Sequence, residues 1–178
     1  MHGIILVEFS KFARARLGAT EWTQLCDSID SAEIYKASAI YPDDQLEALL
    51  GAVSKRASLP RERLLEEFGE FIVPPLLDVY GPLVPEDWQL FDLLENTESV
   101  IHHVVRLRDP NADPPRLRIE RSGPTQLTIH YDSRRNMCWF GKGIVKGLSR
   151  HFGQDVAVID HRCMGRGDSS CEIEIASG

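Results

Sequence analysis

Apolar residues recur at three- and four-residue spacing through the first half of the chain and at two-residue spacing through much of the second. Residues 4–17 and 19–29 carry the helical rhythm. Residues 42–54 open on Pro42 followed by Asp43 and Asp44, which suits a helix start, because proline loses no hydrogen bond there and acids face the positive end of the helix dipole. A further amphipathic helix is predicted over 60–71, the stretch 73–85 holds too many prolines for a long helix, and 86–107 reads as one long helix. After the breaker DPNADPP at 109–115 the pattern changes: 116–121 and 126–131 alternate as strands joined by Ser122-Gly123-Pro124. Residues 136–152 form a helix ended near Gly153, and 154–161 and 171–176 alternate again. The expectation is an α+β fold, with a helical lobe over about 1–85 packed on a lobe over about 86–178. The second lobe holds the long helix and a four-stranded antiparallel sheet with one covering helix. There is no internal repeat, low-complexity tract or linker, so 1–178 reads as one domain.

Composition narrows the function classes. A chain of 178 residues can bury a real core without staples. Its net charge of −7 argues against nucleic acid or an anionic membrane as partner. No apolar run reaches the roughly eighteen residues of a membrane helix, and the first stretch carries its charges after the apolar residues, unlike a signal peptide. The expected location is the cytoplasm, where thiols stay reduced. Nothing points to an enzyme: there is no glycine-rich phosphate loop, no nucleophile motif, and no carboxylate pair that stands out among 27 acids.

Cys138, His161, Cys163 and Cys171 gather three of the four cysteines and one histidine near the end of the chain, whereas Cys26 stands apart in a predicted helix. Thiolate and imidazole are the ligands a tetrahedral zinc site prefers. On a strand, His161 and Cys163 fall on the same side, and the turn MGRGDSS brings Cys171 back across a hairpin. Four ligands close a tetrahedron, so the expected site is structural zinc or a redox-sensitive thiol cluster; the plain alternative is cysteines acting as small buried hydrophobes.

His102 and His103 lie next to each other on the long predicted helix and point about 100° apart, so at most one serves a given site. His102 shares its face with Phe91, Leu94, Glu98 and Val105 and is the candidate for an apolar pocket, although a histidine there can equally be a satisfied core residue. Tyr131, Ser133 and Arg135 at alternate positions would form a row of donors suited to carboxylates, or a polar strand edge facing water.

The segment Tyr131-Asp132-Ser133-Arg134-Arg135 resembles the Y-x-S-x-R signature of H-NOX domains, the haem nitric oxide/oxygen-binding sensors. The opening Met-His-Gly-Ile-Ile, His102 on a long helix, and Pro114-Pro115 agree with that family in order and spacing over essentially the whole chain. The resemblance implies a b-type haem buried between the lobes, with His102 as its proximal ligand. Tyr131, Ser133 and Arg135 would hold the propionates, and Pro115 would press on the porphyrin. It also implies that the four Cys and His residues are the zinc or redox cluster of a bacterial subset. That subset often has two residues between histidine and cysteine, where this chain has Arg162 alone.

Oxygen-binding members place a tyrosine in the distal pocket; here the equivalent position is Phe140, with Ile144 and Leu148 on the same stripe and Ile5 and Phe9 expected to face them. Bound oxygen would find no donor among these, whereas nitric oxide and carbon monoxide need none. The implied function is a nitric oxide sensor that excludes oxygen and signals to a separate protein, such as a histidine kinase or a cyclic-di-nucleotide enzyme (a diguanylate cyclase or phosphodiesterase). The rival reading is a haem-free small-molecule or zinc/thiol redox module of the same superfamily, with His102 merely core.

Overall fold

A computed structural model describes residues 1–177. The N-terminal lobe is built from α1 (Gly3–Leu17), α2 (Ala19–Ser28), α3 (Asp43–Ala57) and α4 (Arg61–Phe71). α1 turns into α2 at Gly18, whose φ of 90° only glycine adopts without strain. α3 and α4 are each entered through a proline, Pro42 and Pro60. The proline-rich stretch after α4 holds a short helix, α5 (Val73–Tyr80), with Pro74 and Pro75 in its first turn, where the missing N–H donors would be unpaired anyway.

The expected long helix over 86–107 is shorter and interrupted. It begins at α6 (Leu90–Asn96), because Gln89 and Asp92 form a capping box there, and Asp92 Oδ2 accepts from the Gln89 N–H at 3.0 Å. A π-helical turn over Thr97–His102 follows, in which the His103 N–H reaches the Glu98 carbonyl five residues back, and α7 (His103–Arg108) completes it. Such wide turns are rare and occur mostly at functional sites.

The second lobe is a four-stranded antiparallel sheet of β1 (Arg116–Gly123), β2 (Gln126–Asp132), β3 (Ala157–Arg162) and β4 (Cys171–Ala176) in the order β1-β2-β4-β3. The register sets Ile129 against Ile173 and Leu127 against Ile175, so one face is apolar and is covered by α8 (Cys138–Phe152). β3 carries a bulge: Asp160 pairs with Ile173 and Arg162 with Glu172, leaving His161 as the extra residue.

Two buried clusters result, one within the helical lobe and one between α8, α6 and the sheet, with Trp139 and Ile144 packed against both. α8 therefore belongs to both lobes, and it lies backbone to backbone on α4. A Cβ added at Gly69 would fall 2.2 Å from the Phe140 carbonyl oxygen, and one at Gly143 2.0 Å from that of Glu66. Gly69→Ala or Gly143→Ala is expected to force the helices apart and to cost on the order of 1–3 kcal/mol in thermal or urea unfolding. Gly51→Ala, in open space on α3, is expected to stabilise by about 0.5–1 kcal/mol.

Candidate functional site

A cavity of about 290 Å³ lies between the lobes, and its walls are mostly apolar. α1 contributes Ile4 and Ile5, α5 contributes Leu76 and Leu77, the sheet contributes Leu117, Ile129 and Ile173, and α8 contributes Phe140, Ile144 and Leu148. Few polar groups interrupt this lining, and they fall into distinct places.

His102, at the end of the π-helical turn, faces the cavity with its side chain 15% exposed, whereas His103 points to solvent. The His102 Nδ1–H donates to Glu98 Oε2 at 2.8 Å, so Nε2 is the ring nitrogen that the carboxylate does not engage. Burial lowers the affinity of this imidazole for a second proton, and Glu98 opposes that shift without overcoming it. A neutral imidazole with one nitrogen fixed is the form that binds metal. Burial alone would raise the Glu98 carboxyl, but hydrogen bonds from His102 and Arg106 outweigh it and hold Glu98 below the usual carboxylate range.

Tyr131, Ser133 and Arg135 all reach the cavity, together with Pro115. They do so through a turn rather than as an extended row. β2 ends at Asp132, the Asn136 N–H closes onto the Ser133 carbonyl at 3.2 Å, and the Arg135 N–H donates to Ser133 Oγ at 3.3 Å. The buried Tyr131 hydroxyl accepts from the Met137 N–H at 3.3 Å, and its proton is held more tightly than in water because of burial. The Arg135 guanidinium pairs with Asp43 and Asp113. Asp43 Oδ1 stands 2.9 Å from Nε but off the direction of its N–H, so this buried donor has no hydrogen-bond partner.

Also in the lining, Phe140 stacks on Phe68 with ring centroids 4.9 Å apart, and Ile5, Ile144 and Leu148 line the cavity too. Phe9 does not reach it: it is fully buried within the helical lobe with its ring edge on Phe68 at 5.1 Å, one layer behind Phe140. Tyr80 also lines the cavity, as do four polar residues not singled out from the sequence: His2, Thr97, Asp113 and Lys142. His2 caps α1, its Nδ1 accepting from the Ile4 N–H at 3.5 Å. Tyr80 lies in the field of Arg108 on α7, the helix that continues from His102. The Lys142 ammonium is committed to Asp160 Oδ2 at 2.7 Å and to the face of Trp139 at 3.0 Å.

Near the start of α8, the sulfur atoms of Cys138, Cys163 and Cys171 lie within 4.8 Å of one another, all buried and free of disulfides, and Cys138 also reaches the cavity. Cys138 and Cys163 are 3.6 Å apart. Burial pushes the Cys138 and Cys171 thiols well up; Cys26, alone in α2, is likewise pushed up to about 11. His161 is not with them. The bulge in β3 adds a residue between Asp160 and Cys163, so the alternation is lost: Cys163 turns inward, while His161 lies on the outer face with Nε2 2.6 Å from Glu174 Oε2.

Among known proteins, a family model described as haem-NO-binding matches residues 2–159. No curated protein sequence matches. Solved structures of similar fold include the H-NOX protein from S. oneidensis in its Fe(II)NO ligation state, at 22% identity and a TM-score of 0.92 over 100% of this chain and 99% of that one. The Fe(II) unliganded H-NOX protein from K. algicida is 24% identical, with a TM-score of 0.90 over 100% of this chain and 97% of that one. An NMR structure of the Shewanella oneidensis H-NOX domain in the Fe(II)CO state is 22% identical, with a TM-score of 0.88 over 100% and 99% of the two chains.

Proposed function

Because this chain belongs to the haem-NO-binding, or H-NOX, family, we propose that it is a haem-based sensor that takes nitric oxide and carbon monoxide, rejects oxygen, and passes its signal to a separate protein. The observation that carries the reading is that one cavity is lined both by a neutral, largely buried His102 held through Nδ1 and by an aromatic and aliphatic surface around Phe140. The residues fit a haem. The cavity is apolar where a porphyrin would lie, and Tyr131, Ser133 and the unspent Nε of Arg135 stand at its polar end, where propionates need donors.

When bound, haem supplies a ferrous iron with one face open to a diatomic gas. His102 would hold that iron through Nε2, Pro115 would lie beside the ring, and Arg135 would meet the carboxylates. Gas selectivity would come from Phe140, Ile144, Leu148 and Ile5, which offer no hydrogen bond, while the Lys142 ammonium is engaged by Asp160 and Trp139. Tyr80 also brings a hydroxyl to the cavity lining. His102 sits in the interrupted helix between α6 and the sheet, so its displacement shifts Thr97–Arg108 against β1. Output follows from unequal affinity for the two arrangements. As the family resemblance implies, the receiver is a histidine kinase or a cyclic-di-nucleotide enzyme.

The thiol cluster supports zinc as a second metal, held by Cys138, Cys163 and Cys171. With the histidine turned to Glu174, the three thiols are the ligands the structure brings together. Cobalt(II) added to reduced protein should give thiolate charge-transfer absorption that Cys163→Ser removes and His161→Ala leaves intact. His102→Gly is expected to lose haem on gel filtration and to regain it with imidazole, whereas His103→Gly keeps it. Phe140→Tyr is expected to add a donor and raise oxygen affinity by about tenfold or more, measured by oxygen titration of the ferrous protein.

A further inference from the structure

The Glu98 carboxylate is a junction. Its Oε2 accepts from His102 Nδ1 at 2.8 Å and from the Leu117 N–H of β1 at 3.3 Å, and its Oε1 faces Arg106 Nη1 at 2.8 Å. It thus ties the π-helical turn, α7 and the sheet lobe together at the imidazole that faces the cavity. We propose that Glu98 is a positioning residue whose negative charge sets how strongly His102 donates to iron, and so how readily His102 is given up when a gas binds opposite. This inference rests on the haem reading above.

The physical reason is polarisation. An anion accepting a hydrogen bond from one imidazole nitrogen pushes electron density onto the other, making the ring a stronger donor than a backbone carbonyl or a water molecule would. Arg106 opposes this by drawing on the same carboxylate through its other oxygen. The balance between His102 and Arg106 for one carboxylate therefore fixes the strength of the ligand. The hydrogen bond from Leu117 gives the sheet lobe a hold on that balance, because any slide of β1 past the π-helical turn changes what Glu98 offers His102.

The test uses the full chain loaded with haem and reads two quantities that a scaffold role leaves alone: the iron–histidine stretching frequency of the ferrous protein by resonance Raman, and its Fe(III)/Fe(II) potential. Glu98→Gln keeps the shape and a hydrogen-bond acceptor but removes the charge; it should lower the frequency and raise the potential, and nitric oxide should then displace His102 in a larger fraction of molecules. Glu98→Ala should move both readings the same way and speed haem transfer to apomyoglobin by about tenfold. Arg106→Ala should shift both in the opposite direction, which keeps the test decisive if Glu98→Gln does not hold haem. A Glu98→Gln protein with the wild-type frequency and potential, or an Arg106→Ala protein that shifts with it rather than against it, overturns the inference while leaving the haem reading intact. A wild-type protein with no iron–histidine band overturns both.

Discussion

The contact between α4 and α8 is the constraint on which the rest of this structure depends. α8 has two employments, covering the apolar face of the sheet with Val145 and Leu148 and lying against the helical lobe along its other side. Only glycine lets the second helix come as close as it does: Gly69 and Gly143 meet backbone to backbone, and Gly147 leaves room for Val73. That approach fixes the depth of the cavity beside it, since Phe140 and Ile144, in its wall, lie within one turn of Gly143.

The cavity between the lobes separates two kinds of chemistry. The interrupted helix presents a neutral imidazole whose orientation is set by a carboxylate four residues earlier. Elsewhere in the lining, aromatic stacking of Phe140 on Phe68, backed by Phe9, gives an apolar surface. The one buried cation in that neighbourhood is neutralised in place, because Lys142 without Asp160 would be an uncompensated charge in an apolar interior. A site so divided can hold a group by one face and discriminate small apolar ligands at the other.

Much of this was legible along the chain. The switch from a helical to a two-residue period after residue 109 marked where the sheet begins, and the order of helices and strands followed from the pattern. Residues singled out on regular elements through the family resemblance, His102, Phe140, Ile144 and Leu148, do line the cavity. The misses are local departures from regular geometry, which have no signature in single residues. The π-helical turn before His102 and the bulge at His161 each add a residue to an otherwise periodic element, and the second of these took a predicted ligand out of the thiol cluster. Ser133 and Arg135 reached the cavity through a turn stabilised by Asn136 at φ 50°, not through an extended strand. Phe9 satisfied the right period but lies one layer too deep, since periodicity tells which face is buried and not what it is buried against. Glu98 was seen as a face-mate of His102; that it bonds the ring became evident only once both side chains were placed.

The most direct test of a sensor with an open, apolar gas site is an absorption spectrum of the purified, dithionite-reduced protein, recorded under argon, then in air, then with nitric oxide. The account predicts a ferrous haem spectrum that is unchanged by air and shifts with nitric oxide. A colourless protein that resists reconstitution with haem, or a spectrum that shifts in air to a stable oxygen complex, would contradict it.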